Sequence, residues 1–248
     1  MFDFANILLA GPCNRSCPFC IGRRLPDSVN EANLDRFPPA GLEALVDAVN
    51  AHRVREVVLT GTTTDPQLYR HEGRLIRLLR ERLHAGARLS VHTNGARALA
   101  KMVVFNAYDR ACLSIPSLEP DVYERMMGSR RVPDLGAILR AATIPVKVSC
   151  VVNEHNAAGL AGFLAACRRL GVRRVVVRRL FGDARDWPVP PGLARVGDFR
   201  GNAVYDLDGM EVTWWDFDAA GLRSLNLFAD GTLGTSYLLA RTPELAPV

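Results

Sequence analysis

The chain has 248 residues, of which 48% are hydrophobic, so it can bury one large core or one domain with an appendage. Its formal net charge is +5, but the arginines that carry it are dispersed and not interleaved with aromatic residues, which does not favour nucleic-acid binding. No apolar run reaches membrane-spanning length, and residues 1–4 lack the basic segment of a secretory signal, so we expect no membrane association.

The first predicted strand is the short apolar run at residues 6–10, which leads directly into a cysteine-rich loop. Cys13, Cys17 and Cys20 stand there in a C-x-x-x-C-x-x-C arrangement. Three thiolates on one loop are soft ligands that suit an iron–sulfur cluster. Because a cuboidal cluster has four irons, three cysteines leave one iron open to a small chelating ligand.

Other uses of this cysteine loop fit the sequence less well. A zinc site would need a fourth ligand, usually from a second close pair, and the nearest downstream histidine is the remote His52. A ferredoxin-type run would carry four cysteines. A disulfide would need an oxidising compartment, which nothing in the sequence supports.

The cysteine spacing after a first strand resembles that of the radical S-adenosylmethionine (radical SAM) superfamily. The resemblance implies that Cys13, Cys17 and Cys20 bind a [4Fe–4S] cluster whose open iron takes the amino and carboxylate groups of S-adenosylmethionine. One electron from an external reductant, of flavodoxin or ferredoxin type, then leads to methionine and a 5′-deoxyadenosyl radical. Phe19 stands where an aromatic residue usually precedes the third cysteine in this family, so the resemblance places it at the cofactor.

Strands and helices alternate along the next part of the chain. A polar loop at residues 22–39 is expected to cover the cluster. Further strand-like runs, separated by helical patterns, lie at residues 56–60, 88–92, 110–115, 145–152 and 172–180. Six such strands predict an α/β fold with a parallel sheet. The resemblance implies the partial (βα)6 barrel of radical SAM enzymes over residues 1–197, with the site at the carboxyl ends of the strands.

The loop after the second strand is the first candidate cofactor site. Radical SAM enzymes usually carry a Gly-Gly-Glu motif there that holds the methionyl ammonium, whereas this chain has Gly61 followed by Thr62, Thr63, Thr64 and Asp65. Gly61 permits a sharp turn, and the hydroxyls or the carboxylate could accept hydrogen bonds from an ammonium. Position favours Gly61, Thr62, Thr63 and Asp65 as cofactor-binding residues; the alternative is a turn in which Asp65 caps the next helix.

The ends of the third and fourth strands carry two more candidates. Asn94 lies in a Thr-Asn-Gly tripeptide that resembles the one found after the third strand in several radical SAM families. Ser114 matches a serine that contacts S-adenosylmethionine in the molybdenum-cofactor cyclase branch. The stretches at residues 113–128 and 145–153 also resemble that branch. His92, beside these residues, is expected to be structural, since radical abstraction needs no general base.

The fifth and sixth strands offer polar residues on alternate positions. Lys147 or Ser149 is expected to face the cofactor, because alternate residues of a strand share a face. Arg178 and Arg179 end the sixth strand on opposite faces, so we expect only one of them to enter the barrel. A guanidinium at that place would bind a carboxylate or a phosphate, and Arg178 is the candidate.

Three further cysteines are scattered along the chain. Cys112 and Cys150 lie in predicted strands, and Cys167 lies on the apolar face of a predicted helix. We expect them to be small buried hydrophobic residues, with no auxiliary cluster. Free cysteines suit a reducing compartment, so a cytoplasmic location is expected.

The tail, residues 198–248, changes character. Asp208-Gly209 and Asp230-Gly231 are two-residue hairpin signals, the first between residues 203–207 and 210–215 and the second between residues 224–228 and 232–238. They predict a small antiparallel extension that closes the barrel. Its aromatic and acidic residues are expected to wall a closed pocket: Trp214, Trp215, Asp216, Phe217, Asp218 and Tyr237.

These features predict a radical SAM enzyme of a biosynthetic pathway that abstracts hydrogen from a small-molecule or nucleotide substrate. Asn94 and one of Arg178 or Arg179 are expected to contact that substrate. One alternative is modification of a ribosomal peptide with a separate recognition partner. A second is a metal-cluster module that binds RNA, for which the positive charge is the support.

Overall fold

The computed structural model describes residues 2–216 and 220–235 of the chain. Its first six strands are parallel neighbours in sequence order, as the apolar runs predict. They are β1 (Phe4–Leu9), β2 (Glu56–Gly61), β3 (Arg88–Thr93), β4 (Arg110–Ser114), β5 (Val146–Val152) and β6 (Arg174–Arg179). Parallel strands require crossover connections, and helical segments supply them.

The described helices are α1 (Leu42–Ala51), α2 (Glu72–Arg82), α3 (Met102–Phe105), α4 (Pro120–Met127), α5 (Leu135–Ala141) and α6 (Leu160–Arg169). Their apolar stripes pack on the sheet; α2, for example, buries Leu75, Ile76 and Leu79. A 3-10 turn at Leu99–Lys101 leads directly into α3. The loop after the cysteines contains two more 3-10 turns, Ile21–Arg24 and Asp27–Asn30.

The two faces of the parallel sheet differ in chemistry. The face toward the helices is apolar and fully buried, as at Leu59 in β2 and Leu113 in β4. Each fully buried side chain of this kind contributes about 1.5–3 kcal/mol relative to an exposed one. The alternate residues face the interior of the barrel, where Glu56, Arg110 and Lys147 border a cavity.

The tail contributes β7 (Ala194–Phe199), β8 (Asn202–Leu207), β9 (Met210–Trp215), β10 (Ser224–Leu227) and β11 (Leu233–Gly234). β7, β8 and β9 are antiparallel to one another in turn, and β10 is antiparallel to β11. β9 also pairs in parallel with β6, and β10 pairs in parallel with β1. The resulting sheet is open, with the order β11-β10-β1-β2-β3-β4-β5-β6-β9-β8-β7.

The structure confirms the hairpin at Asp208-Gly209, where both residues have positive φ, as a type I′ turn requires. The second hairpin is present with a short β11, and the predicted continuation to residue 238 lies outside the described residues. The pattern did not predict β7 or the parallel pairing of β9 and β10 with the barrel strands. This pairing covers both edges of the six-stranded sheet, which would otherwise expose unpaired N–H and C=O groups.

The end of β9 and the start of β10 lie at opposite ends of the sheet. Trp215 lies at the carboxyl end of β9, whereas Ser224 lies at the amino end of β10, beside Phe4. Both strands run parallel to β1–β6. Trp215 packs with Val176 and Ala220.

A test of the β1–β10 pairing uses two buried amides. Asn6 Nδ2 donates to Asn226 Oδ1 at 2.7 Å, across strands that are 220 residues apart in sequence. Asn226→Ala removes this acceptor from a buried donor and should lower the free energy of unfolding by about 1–3 kcal/mol. Urea unfolding measures the loss. In a double-mutant cycle, Asn6→Ala combined with Asn226→Ala should cost less than the sum of the two; strict additivity would contradict the contact.

Candidate active site

A cavity of ≈ 640 Å³ lies under the loops at the carboxyl ends of the strands and continues into the barrel interior. All three loop cysteines border it. Other predicted site residues that border it are Gly61, Thr62, Thr63, Asp65, Asn94, Ser114 and Arg178. Its size lies within the range of small-molecule sites.

The three thiols of the cysteine loop influence one another electrostatically. Burial raises the pKa of the Cys17 thiol to about 11, with smaller contributions from the neighbouring Cys20 and Cys13. Burial likewise raises the pKa of the Cys13 thiol, and the charge of Cys20 acts in the same direction. The Cys20 thiol donates to the Thr62 carbonyl at 3.4 Å, and Cys17 Sγ lies 3.5 Å from Met127 Sδ. Three thiolates here need a positive partner, and a bound metal centre would supply one.

The donor set fits a cluster better than a single ion. In residues 2–216 and 220–235, no three His, Cys, Asp or Glu side chains are grouped closely enough to hold one metal ion. An iron–sulfur cluster places each thiolate on a different iron, so its ligands lie farther apart than those of one ion.

Hydrogen bonds connect the cysteine loop to the loop after β2. Gly11 N–H donates to Thr63 Oγ1 at 3.0 Å, and Thr64 Oγ1 donates to the Pro12 carbonyl at 2.6 Å. Ser16 N–H donates to the Met127 carbonyl at 3.1 Å, which attaches the loop to the end of α4. The cysteine loop is therefore held by two separate parts of the barrel, the loop after β2 and the end of α4.

Asp65 links the loops after β2 and β3. It caps the 3-10 turn Pro66–Leu68 by accepting from Gln67 N–H at 3.0 Å, which confirms the capping interpretation. It also accepts from Thr93 Oγ1 at 2.8 Å and from Asn94 N–H at 2.6 Å. Burial raises the pKa of Asp65, and these hydrogen bonds act in the opposite direction. Because both carboxylate oxygens are already engaged, Asp65 positions the loops.

Asn94 continues this network to the cysteine loop. Its Nδ2 donates to Asn14 Oδ1 at 2.8 Å, and its Oδ1 accepts from Ala96 N–H at 3.0 Å. Arg15, next to Asn14, donates to the Tyr123 hydroxyl and the Arg131 carbonyl. The Thr-Asn-Gly tripeptide thus connects the end of β3 to the residues around the first cysteine.

Two predicted residues do not border the cavity. Phe19 is partly buried and packs against the hydrophobic core. Ser149 is buried on the interior face of β5, one row above Lys147, and it is Lys147 that borders the cavity. Of the two arginines, Arg178 enters the barrel, whereas Arg179 Nη2 pairs with Asp216 Oδ1 at 2.7 Å.

The two tail tryptophans point to opposite faces of the sheet, as adjacent residues of a strand do. Trp215 borders the cavity, and Trp214 packs against the main core. Phe217, Asp218 and Tyr237 lie outside the described residues. Cys112, Cys150 and Cys167 are buried, as predicted, and carry free thiols.

The interior of the barrel carries charged residues that the sequence interpretation missed. Glu56 pairs with Arg110, and Arg174 Nε lies 2.7 Å from Glu211 Oε1. Burial lowers the pKa of His92 well below its usual range, and the charges of Lys147 and Arg178 act in the same direction. The available signal was the regular placing of polar residues at alternate positions in otherwise apolar strands.

A β/α sheet with a three-cysteine loop after its first strand defines a class of protein. The family model of the Radical SAM superfamily matches residues 8–155, and the chain belongs to this superfamily. The cofactors of this superfamily are a [4Fe–4S] cluster and S-adenosylmethionine. These enzymes in general need an external reductant. A comparison with curated protein sequences gives no match.

Similar solved structures have the same fold at low identity. SuiB from Streptococcus suis bound to the precursor peptide SuiA matches with a TM-score of 0.58 and 16% identity, over 73% of this chain and 40% of SuiB. SuiB bound to S-adenosylmethionine matches with a TM-score of 0.56 and 17% identity, over 75% of this chain and 42% of SuiB. anSMEcpe with bound S-adenosylmethionine matches with a TM-score of 0.52 and 17% identity, over 76% of this chain and 57% of anSMEcpe. The chain thus spans about two fifths of the length of SuiB.

No helix among the described residues is long and apolar enough to cross a membrane. The comparisons do not bear on the likeness to the molybdenum-cofactor cyclase branch, which stays a prediction.

The depressed pKa of His92 predicts an acid-sensitive fold. The buried folded form stays neutral, whereas the unfolded form takes up a proton below about pH 6.5. Stability should therefore fall as the pH drops from 6.5 towards the folded-state pKa. Melting temperatures between pH 7.5 and 5 measure this for the wild type and for His92→Gln, which should show a weaker pH dependence. Parallel curves for the two proteins would exclude His92 as the source.

Two glycine-to-alanine variants test how closely the cysteine loop approaches the loop after β2. A Cβ atom on Gly22 would lie 2.5 Å from the Thr62 carbonyl oxygen, the group that also contacts Cys20. Gly22→Ala should therefore displace the cysteine loop and lower the iron content after anaerobic reconstitution several-fold. Gly162→Ala is the matched control, since a Cβ there meets nothing within 4 Å in α6 and should stabilise by about 0.5–1 kcal/mol. Equal iron content in both variants would contradict the close approach.

Proposed function

We propose that the chain cleaves S-adenosylmethionine reductively at a [4Fe–4S] cluster held by Cys13, Cys17 and Cys20. When bound, this cluster supplies the electron and the open iron that convert the cofactor to methionine and a 5′-deoxyadenosyl radical. The observation that carries the proposal is that three thiols at one end of the barrel border a cavity reaching into its interior. A flavodoxin- or ferredoxin-type protein would be the electron donor, and we propose a cytoplasmic location because the buried cysteines are free thiols.

The residues around the thiols support a cofactor site with divided roles. Thr62 and Thr63 border the cavity next to the cysteines and have hydroxyls that could accept from the methionyl ammonium. Gly61 keeps this loop compact, because a Cβ atom there would lie 1.9 Å from the Thr64 carbonyl oxygen. Asp65 would act by positioning Asn94.

Ser114, Asn94 and Arg178 would complete the site from the neighbouring strand ends. All three border the cavity, at or near the carboxyl ends of β3, β4 and β6. Phe19 and Ser149 remain predictions, since neither borders the cavity.

We propose that the substrate is a small molecule or nucleotide of a biosynthetic pathway, from which the radical abstracts hydrogen. The support is the size of the cavity and its polar interior, which suit a ligand with a few fixed polar contacts. Trp215 and Leu222 of the tail also border the cavity, which supports residues 198–248 as an extension that closes the barrel of residues 1–197. A closed wall excludes water from a reactive intermediate. SuiB binds a precursor peptide, but a similar fold at 16% identity does not indicate that this chain has the same substrate.

The cluster assignment predicts a specific loss in Cys17→Ala. Each thiolate is one of three anchors, so the variant should lose the visible absorption of an iron–sulfur cluster. It should also release no 5′-deoxyadenosine with dithionite and S-adenosylmethionine. Cys167→Ala is the matched control, because it removes a free thiol from α6, away from the cavity.

Iron analysis, absorption spectra and chromatography of the cleavage products measure these outcomes on anaerobically reconstituted protein. A wild-type protein that binds stoichiometric zinc and no iron would contradict the proposal. So would a Cys17→Ala variant that keeps its iron and cleaves the cofactor.

A further inference from the structure

The chain has two lysines, Lys101 and Lys147, and their surroundings differ. Lys101 Nζ pairs with the buried Glu72 carboxylate and donates to the Gln67 carbonyl at 2.8 Å. Lys147, in β5, borders the barrel cavity and makes no hydrogen bond or ion pair with any other residue that the structure describes. A lysine that only supports the fold is paired as Lys101 is. The Lys147 amine is therefore open to a molecule that binds in the cavity.

The strand register places Lys147 at a deep level of the barrel. Lys147 is in register with Cys112 of β4, which is in register with His92 of β3. Ser114 and Ser149 form the next row of the interior face, nearer the carboxyl ends of the strands. Two residues of a strand span about 6–7 Å, so the row of Lys147 lies that far below the row of the two serines. The cavity thus reaches this amine at a level below the cysteine loop.

The groups around Lys147 favour its neutral form. Those that face it from the neighbouring strands are His92 on β3, Arg110 and Cys112 on β4, and Arg174 and Arg178 on β6. Burial is the main cause that lowers the pKa of Lys147; Cys112 opposes this shift and the arginines add to it. Two of these arginines pair with glutamates, which weakens their share. At a given pH, a larger fraction of Lys147 is therefore neutral than of an exposed lysine.

We propose that Lys147 binds the substrate covalently through a carbonyl group, as an imine. The inference rests on the proposed function, since it names the substrate class of the same cavity: a small molecule that carries an aldehyde or a ketone. The observation that carries it is a lysine amine that faces the cavity without a partner among the described residues. Lysines that form imines with carbonyl substrates have this kind of environment.

The step is a condensation, which needs no oxidant and no reductant. The lone pair of the neutral Lys147 Nζ forms a bond to the carbonyl carbon, and one proton moves from nitrogen to the carbonyl oxygen. The C–O bond of this adduct then breaks, water leaves with the second nitrogen proton, and a C=N bond remains. Hydrolysis reverses the step and releases the product. The covalent bond would fix one end of the substrate below the cysteine loop and so restrict which of its carbons reach the cofactor.

Reductive ethylation of the anaerobically reconstituted full chain tests the inference. Acetaldehyde is the carbonyl probe, cyanoborohydride reduces the imine to a stable secondary amine, and peptide mass spectrometry locates the ethyl group. Near neutral pH, Lys147 should be labelled about threefold or more faster in the folded protein than in the chain unfolded in guanidinium chloride, because only a neutral amine attacks a carbonyl. Lys101 should be labelled more slowly in the folded protein, because its ion pair holds the amine charged. Both lysines are compared within one molecule, so this result needs no variant.

Two variants and a pH profile complete the test. Lys147→Arg keeps the positive charge but removes the primary amine, so labelling at this position should be lost. Lys101→Arg is the matched control and should be labelled at Lys147 as wild type is. The labelling rate of Lys147 should reach half of its maximum at a pH below the usual pKa range of lysine. A lysine with only a structural role would not show this shift.

The inference is overturned if Lys147 is labelled no faster in the folded protein than in the unfolded chain. It is also overturned if the pH profile of Lys147 has its midpoint in the usual range of lysine. Release of 5′-deoxyadenosine by wild type with dithionite and S-adenosylmethionine is measured on the same preparation. Release without an imine at Lys147 means that only this inference fails, and no release means that the proposed function fails.

Discussion

A carboxylate buried under surface loops must be satisfied by hydrogen bonds, and in this chain that requirement falls on Asp65. Its oxygens accept from Gln67 N–H, Thr93 Oγ1 and Asn94 N–H, so the loops after β2 and β3 close around it. Asn94 then donates to Asn14, within the cysteine loop. The position of the three thiols over the cavity therefore depends on a network that begins at one acidic side chain.

Much of the fold follows from local patterns. The six parallel strands of the barrel are separate apolar runs, and the turn at Asp208-Gly209 is set by residues that tolerate positive φ. The pairing of β9 with β6 and of β10 with β1 has no such local signal. It is decided by which sheet edges remain unpaired once the barrel has formed, and that is a property of the whole chain.

The functional site was likewise predictable from the sequence only in part. The spacing of Cys13, Cys17 and Cys20 indicated the family, because metal-ligand chemistry constrains spacing within one loop. The interior charges of Glu56 and Arg110 were missed, because these residues come from different strands and meet only when the register is known. Strand alternation correctly required one of Arg178 and Arg179 to face inward, but the ion pair of Arg179 with Asp216, which involves the tail, shows which one does not.

The pairing of β1 with β10 has a consequence for how the molecule is made. Phe4 stands opposite Ser224, so the strand that leads into the cysteine loop gains its second neighbour only after residue 224 has left the ribosome. Contacts of such large sequence separation form slowly, because a long loop must close first. Until β10 pairs, the N–H and C=O groups along this edge of β1 are unpaired, so the pairing completes the sheet beside the strand that leads into the cysteine loop.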